Sequence, residues 1–295
     1  MENLAIVVTA TLLSSVCALL GNFLLLRRMA LLGDVVSHAV LPGIVLGYLW
    51  SGVYELPVVL LGAMFSAAVA LLIVQLLQHR FGWHSDTALA AVLSSFFATG
   101  VLLLSAFGGN IDLDVECVLY GEIAYVPLDV TTLPGLGIPV SRAVLISLGL
   151  LVVVAAVIAI AYKELVLTAF DPEFAATAGI SPQVWQTVLL ILTAVVTVVG
   201  FELVGAILIV ALLVVPAATA RLVTARLPAM LGVSVLLGIG GAVGGYAMAS
   251  VLQGAIAGWM AIAAGVQFLV VFAWRRVRQR FLVTAVPSDA ARSIR

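Results

Sequence analysis

The chain has 295 residues, of which 64% are hydrophobic and only 9% are charged, and its mean hydropathy is +1.29. A soluble globular domain carries charge on about a quarter of its residues, so this composition excludes one and predicts a polytopic integral membrane protein. The net charge of −1 says nothing directly about nucleic acid, but the lack of a basic patch interleaved with aromatic residues argues against such a partner. Two cysteines, Cys17 and Cys117, are too few for a disulfide framework or a thiolate metal site.

Nine apolar runs approach the roughly 20 residues that are needed to cross a bilayer. They cover approximately residues 4–26, 31–50, 56–77, 88–107, 143–161, 184–199, 204–219, 230–249 and 255–274. We therefore predict an all-α membrane protein with about nine transmembrane helices, or eight if the weak pair between residues 184 and 219 is wrongly divided. Pro42 and Pro216 lie inside the second and seventh runs, so those helices are expected to be kinked or broken.

The basic residues are distributed one-sidedly along this pattern. If the N-terminus is outside, twelve of the thirteen Lys and Arg residues lie on the inner side and only Arg142 lies outside. The positive-inside rule thus predicts an external N-terminus and a cytoplasmic C-terminus. A transmembrane domain would span residues 1–274, and residues 275–295 would form a basic cytoplasmic tail beside the membrane lipids.

The long outer segment at residues 108–140 is acidic. It contains no Lys or Arg, and its acidic residues are Asp112, Asp114, Glu116, Glu122 and Asp129. Such a segment could concentrate cations or dock a basic partner, although a simple solvated loop is the alternative. A further outer turn is predicted at residues 200–202, where Glu202 either lines an entry path or is merely hydrated.

The second apolar run contains polar side chains one helical turn apart. Asp34 and His38 are four residues apart, so both can reach one ion, and Ser37 lies beside their face. Pro42 leaves the carbonyl of His38 without its helical donor. Ionisable groups in membranes are costly and commonly mark ion pathways. We interpret Asp34 and His38 as ligands of an ion in such a pathway, and Ser37 and Pro42 as path-lining candidates. The alternative is that Asp34 caps the helix and His38 is a structural hydrogen-bond partner.

The inner segment at residues 165–182 has the pattern of a short, separate helix. An N-cap, a first-turn proline, a first-turn acid and a closing glycine mark its ends. These are Asp171, Pro172, Glu173 and Gly179. Phe170 and Phe174 would give the helix a small apolar face that fits the groove of a soluble partner. A connecting helix that lies on the membrane surface is the alternative.

Four stretches together resemble the ABC-type metal-ion permeases, the membrane subunits of bacterial importers of manganese, zinc and iron. They are residues 33–43 (GDVVSHAVLPG), 117–123 (CVLYGEI), 170–175 (FDPEFA) and 210–221 (VALLVVPAATAR). The resemblance extends from about residue 4 to residue 274. The Tyr-Gly-Glu core of the second stretch is most similar to manganese permeases.

The resemblance implies an importer in the bacterial cytoplasmic membrane. Its partners would be a second permease copy, identical or related, two ATP-binding subunits and an extracytoplasmic metal-binding protein. It also implies that Asp34 and His38 line the ion path and that the segment at residues 165–182 couples to the ATPase. No Walker-type loop occurs in this sequence, so the chain is expected to be no enzyme and to bind no cofactor of its own.

The residue types leave the metal open. Two copies around a two-fold axis would offer two carboxylates and two imidazoles, a set that suits Mn²⁺, Zn²⁺ or Fe²⁺. A different class of protein, a gradient-driven secondary transporter, would use Asp34 and His38 as a proton or ion relay and would need no ATPase. An intramembrane metalloprotease lacks support because there is no His-Glu-x-x-His, and a permease for an iron chelate or cobalamin should need no Asp/His pair.

Overall fold

The computed structural model describes residues 2–51, 56–107, 123–132 and 139–284, and these ranges are almost entirely helical. The helices are α1 (Glu2–Leu26), α2 (Leu32–Ser51), α3 (Leu56–Phe81), α4 (Ser85–Phe107), α5 (Arg142–Ile160), α6 (Tyr162–Phe170), α7 (Pro172–Thr177), α8 (Pro182–Val204), α9 (Ala206–Val223), α10 (Leu227–Leu252) and α11 (Ile256–Thr284). Before α5, a 3-10 turn at Ile123–Tyr125 precedes an antiparallel hairpin of β1 (Val130–Thr132) and β2 (Pro139–Ser141).

Nine helices in the described part of the chain are long and apolar enough to cross a membrane, namely all except α6 and α7. They coincide with the nine predicted runs, so the all-α membrane fold is confirmed. The β1–β2 hairpin was not predicted. Helix α11 passes the expected boundary at Trp274 and continues to Thr284, because nothing in the basic sequence interrupts the helix. The rest of the predicted tail lies outside the described residues.

Part of the predicted acidic outer segment also lies outside the described residues. This applies to Asp112, Asp114, Glu116, Glu122 and the whole stretch at residues 117–122. Asp129 is described, and its backbone carbonyl accepts a hydrogen bond of 3.0 Å from the N–H of Arg142. This bond fixes the hairpin to the first residue of α5.

The predicted turn at residues 200–202 was wrong. Gly200 and Glu202 both lie within α8, and the chain turns instead at Gly205, the single residue between α8 and α9. Gly205 has φ +87° and ψ 158°, a conformation that is essentially restricted to glycine. Hydropathy favours a turn at the polar residue, but one carboxylate near a helix end does not interrupt the backbone. The two members of the weak pair are therefore separate helices, divided by one glycine.

Helices α1 and α2 form the centre of the bundle. α1 packs against α5, α8, α9 and α10, whereas α2 packs against α3, α4, α8 and α9. Among the nine spans α2 is the most buried, and α11 is the least buried. A hydrogen bond of 2.6 Å from Asn22 Nδ2 to Ser234 Oγ joins α1 to α10. The outer helices thus shield α1 and α2 from lipid.

Helices α2 and α3 approach each other backbone to backbone. A Cβ added at Gly43 or at Gly62 would overlap the carbonyl group of the other glycine. One turn away, Ser66 Oγ of α3 donates a hydrogen bond of 2.6 Å to the carbonyl of Ala39. Small residues allow this kind of close approach in membranes, where packing replaces the hydrophobic effect as the driving force.

Nearly all described basic residues lie at one end of the bundle, which we name the basic end. They are Arg27, Arg28, Arg80, Lys163, Arg221, Arg226, Arg275, Arg276, Arg278 and Arg280. They follow α1, α3, α5 and α9 or belong to the last turns of these helices and of α11. These five helices are every second span, so they run in the same direction if each span crosses once. Arg142, at the start of α5, lies at the opposite end.

The α2–α3 contact gives a prediction about stability. Gly43→Ala should lower the free energy of unfolding by about 1–3 kcal/mol, because the new methyl group forces two backbones apart. Gly149→Ala is the matched control, since a Cβ at that position in α5 meets open space. Alanine favours helix, so the control should be as stable as the parent or slightly more stable. Thermal unfolding in detergent measures both, and equal midpoints would contradict the prediction.

Candidate functional site

Asp34 and His38 lie one turn apart in α2 with their side chains together. Asp34 Oδ1 is 3.5 Å from His38 Nε2, and the two side chains are 40% and 32% exposed respectively. A carboxylate and an imidazole at this separation can bind the same cation or exchange a proton. The structure therefore brings together the two predicted metal ligands.

The pair lies on a stripe that is the open side of the first half of α2, residues 32–41, which is otherwise enclosed. Leu31, Asp34, His38 and Leu41 recur at three- and four-residue spacing and are all at least partly exposed. The buried side chains between them are Val35, Val36, Ser37, Ala39 and Val40. Because α2 is the most buried span, this narrow stripe is the side on which an ion or a second protein could reach the pair.

Helix α4 forms a wall beside the pair. The ring of Phe97 meets the His38 imidazole edge to face, with centroids 5.0 Å apart and ring planes at 78°. One turn further along, Leu41 lies against Gly100, where an added Cβ would come within 2.8 Å of Leu41 Cδ2. These contacts hold the imidazole at the edge of the α2–α4 interface and limit its rotation.

Ser37 does not face the same side as the pair. Its side chain is 3% exposed, and Oγ donates a hydrogen bond of 2.7 Å to the carbonyl of Gly33 within α2. This arrangement gives no support for a path-lining role, since the hydroxyl is satisfied by its own helix. Hydroxyls in membrane helices commonly bond back to a carbonyl four residues earlier.

Pro42 is buried and does not break α2, which continues to Ser51. It borders an apolar groove of about 760 Å³ between α2, α3 and α4, together with residues such as Phe65 and Phe96. The proline removes one backbone donor, but the neighbouring helices hold the segment straight enough to remain helical.

Glu202 is exposed and lies near the end of α8, away from the pair. It is within electrostatic range of Arg142 and Asp129, at the end of the bundle opposite the basic end. The structure therefore does not unite Glu202 with Asp34 and His38. That Glu202 lines an outer entrance stays a prediction, independent of the role of Asp34 and His38.

The α2–α3 contacts also give the depth of the pair. Ala39 lies opposite Ser66 and Gly43 lies opposite Gly62, so His38 is level with about Ala67. At 1.5 Å per residue, that level is roughly 21 Å from the end of α3 at Phe81, near the middle of this helix. The ionisable pair is thus deep within the bundle.

Within the described ranges, the chain supplies only part of a metal site. No group of three or more His, Cys, Asp or Glu side chains that could hold a metal ion occurs among the described residues. Transition-metal ions in proteins take four or more ligands. Asp34 and His38 can therefore be half of a site that is completed by another molecule, or a pair that transfers a proton.

The predicted short helix is present as α7. Asp171 is its N-cap, with Oδ1 accepting a hydrogen bond of 3.0 Å from the N–H of Phe174, and Pro172 and Glu173 fill the first turn. Gly179 has φ +81° and ends the segment in the left-handed conformation that glycine favours. The local signals read from the sequence thus determine both ends.

The segment that contains α6 and α7 exposes aromatic side chains at the basic end. Phe170 and Phe174 are each 58% exposed, whereas Ala175 is fully buried against the protein. α7 contacts α6 and α8, the helices on either side of it in the chain. The segment has an apolar face directed away from the bundle and rests on the membrane helices through its other side.

Polar contacts at the basic end were missed by the sequence reasoning. Gln186 Nε2 of α8 donates a hydrogen bond of 3.1 Å to Gln78 Oε1 of α3. One turn away, Gln75 Nε2 donates a hydrogen bond of 2.9 Å to Thr187 Oγ1. Arg27, which directly follows α1, also donates a side-chain hydrogen bond to α6. The signal was weak, because glutamines near helix ends are equally typical of solvated surfaces.

Comparison with known proteins identifies a family. The model described as "ABC 3 transport family" matches residues 2–275. The chain is 40% identical to the manganese transport system membrane protein MntD of Bacillus subtilis over 267 aligned residues. The aligned region covers 90% of each chain. It is 37% identical over 272 residues to the zinc transport system membrane protein TroD of Treponema pallidum, which covers 92% of this chain and 73% of TroD.

The structural comparison agrees. The solved structure of PsaBC from Streptococcus pneumoniae in complex with Fab superposes with a TM-score of 0.72 and 29% sequence identity, over 91% of this chain and 90% of the other. The family match covers nearly all described helices, including α2 with its Asp34/His38 pair. The chain is a multi-pass integral membrane protein that belongs to the ABC 3 transport family.

Proposed function

We propose that the chain is the membrane-spanning permease subunit of an ATP-driven importer of divalent transition-metal ions. The observation that carries the proposal is the Asp34/His38 pair on the open stripe of the most buried span. The names of MntD and TroD, which refer to manganese and zinc transport, support this class of substrate. Manganese is the favoured ion, with zinc and iron as alternatives.

The pair needs a partner surface. A carboxylate and an imidazole that faced lipid at mid-depth would be costly, so the stripe must face protein or water. A second permease copy across a two-fold axis, identical or related, would enclose the stripe and supply another Asp34 and His38. Two carboxylates and two imidazoles give four ligands of a type that Mn²⁺, Zn²⁺ and Fe²⁺ accept.

The charge distribution supports an orientation. The basic end would lie in the cytoplasm, with the N-terminus outside and the C-terminus inside. An extracytoplasmic metal-binding protein would then deliver the ion at the opposite end, where Asp129 and Glu202 provide negative charge. The proposed setting is the cytoplasmic membrane of a bacterium.

The segment at residues 165–182 would bind the ATP-binding subunit. Phe170 and Phe174 form an exposed apolar face of the kind that inserts into a groove. The sequence has no Walker-type loop, so ATP would be hydrolysed on that partner, present in two copies for two permeases. This chain would contribute transport rather than catalysis.

During transport the ion would exchange one set of ligands for another. Asp34 must be ionised and His38 neutral to bind a metal, so protons compete with the ion at this site. ATP-driven movement of the coupling segment would open the site first to the outside and then to the cytoplasm. When the ligands of one copy separate from those of the other, a single Asp34/His38 pair would bind the ion weakly enough to release it.

Substitution of the pair tests the ion path. Asp34→Asn and His38→Ala should each lower ATP-dependent uptake of Mn²⁺ and Zn²⁺ by about tenfold or more, since each removes a ligand from a small set. Uptake is measured in liposomes that contain the permease, its ATP-binding subunit and its binding protein. Ser37→Ala is the matched control in the same turn, and it should transport normally because Ser37 bonds only its own helix.

The same assay separates the alternatives. Undiminished uptake in both variants, with normal membrane insertion, would give Asp34 and His38 a structural role only. Uptake that follows a proton gradient and ignores ATP would instead indicate a secondary transporter in which the pair relays protons. In the wild type, the difference between Mn²⁺ uptake and Zn²⁺ uptake identifies the ion that the permease prefers if the binding protein prefers the same ion.

Substitution in α7 tests coupling. Phe174→Asp should weaken association with the ATP-binding subunit by at least tenfold, because a charge replaces an apolar contact in the docked face. Ala176→Asp places the same charge in the same helix but about 200° away around its axis, and should have a much smaller effect. Co-purification and ATP-dependent uptake are the measurements. Normal association of Phe174→Asp would show that this face does not dock.

A further inference from the structure

Arg27 connects the central helix α1 to the coupling segment. It directly follows α1, and its Nη2 donates a hydrogen bond of 2.5 Å to Thr168 Oγ1 of α6. The Thr168 hydroxyl in turn donates a hydrogen bond of 2.7 Å to the backbone carbonyl of Glu164. Thr168 is only 5% exposed, so this contact between residues 141 positions apart is enclosed by protein.

Two charged groups beside this bond are incompletely paired. Arg27 Nε and Glu164 Oε2 are both buried, and neither has a hydrogen-bond partner among the described residues. Burial lowers the pKa of the Arg27 guanidinium from its ordinary value, but an arginine stays protonated in proteins. Leaving a buried atom of a charged group unpaired costs free energy, so a conformation that pairs Arg27 with Glu164 would remove this cost.

The geometry allows the change. Glu164 and Thr168 are four residues apart in α6 and therefore lie on the same face of the helix, towards Arg27. The two positions differ by roughly 6 Å along the helix axis, about one turn. Shifts of this size between packed elements are known in allosteric transitions.

We propose that Arg27 is a positioning residue with two alternating partners: Thr168 in this conformation and the Glu164 carboxylate in the other conformation of the transport cycle. The proposal rests on the proposed function, because α6 would move only if α7 is driven by an ATPase. Arg27, Glu164 and Thr168 together form what we name the Arg27 latch.

The position of the latch explains its use. α6 is joined to α5 by Ala161 alone and to α7 by Asp171 alone, so a force on α7 acts on α6 directly. Arg27 begins the short link to α2 and precedes Asp34 by seven residues. A one-turn movement of α6 past Arg27 would therefore pull on the link that carries the metal pair.

Glu164→Gln is the decisive variant. It leaves the Arg27–Thr168 bond of this conformation intact, so the thermal unfolding midpoint should be unchanged. It removes the ion pair of the other conformation, so metal taken up per ATP hydrolysed should fall about five- to tenfold, the size expected for loss of one charged hydrogen bond from a two-state coupling. A purely structural role would produce no such separation of stability from coupling.

Two matched variants complete the test in liposomes that contain the assembled transporter. Lys163→Gln removes a charge from the exposed neighbouring residue and should leave the ratio of metal to ATP unchanged. Arg27→Gln should lower the ratio by itself, and Glu164→Gln added to it should have no further effect, because both act through one pair.

Three results would overturn the proposal. A wild-type ratio of metal to ATP in Glu164→Gln would exclude an exchange of partners and leave the proposed function untouched. Multiplication of the two effects in the double variant would show that Glu164 acts without Arg27. Lack of any ATP-dependent uptake in the wild-type assembly would instead overturn the proposed function and the latch with it.

Discussion

The fold depends on the cost of placing polar groups in lipid. Unpaired backbone groups are costly in lipid, so the backbone of the spans is helical. Charged side chains are costly there too, so they lie towards the protein interior. Asp34 and His38 lie at mid-depth in α2, the span that its neighbours bury most completely. Their remaining exposure is confined to one stripe, which is the surface that the proposed second permease copy would cover.

Close packing is what allows α2 to be so enclosed. Gly43 and Gly62 let α2 and α3 touch backbone to backbone, and Gly100 makes room for Leu41 at the contact with α4. The edge-to-face contact with Phe97 then holds the imidazole of His38 beside that wall. A helix that is held by α3 and α4 in this way can move only as a body, which suits the proposed site, whose access would change while its shape is kept.

Polar contacts connect the segment that contains α6 and α7 to the elements beside α2 in two places. On one side α6 is tied to the end of α1 through Arg27, directly before the link into α2. On the other side α8 begins at Pro182, and its Gln186 bonds Gln78 of α3, the helix that packs along α2. Both routes consist of polar contacts at the basic end of the bundle. If α7 moves as proposed, these contacts would pass the movement to the link before α2 and to α3.

The sequence by itself determined the features that depend on neighbours in the chain. Apolar length set the nine spans, four-residue spacing put Asp34 and His38 on one face, and Asp171 with Gly179 set the ends of α7. Only the tertiary structure decided which side of α2 stays open, that Ser37 lies on the buried side of this helix, and that Arg27 meets Thr168. These outcomes depend on contacts between residues far apart in sequence, and helical periodicity carries no information about which faces of different helices meet.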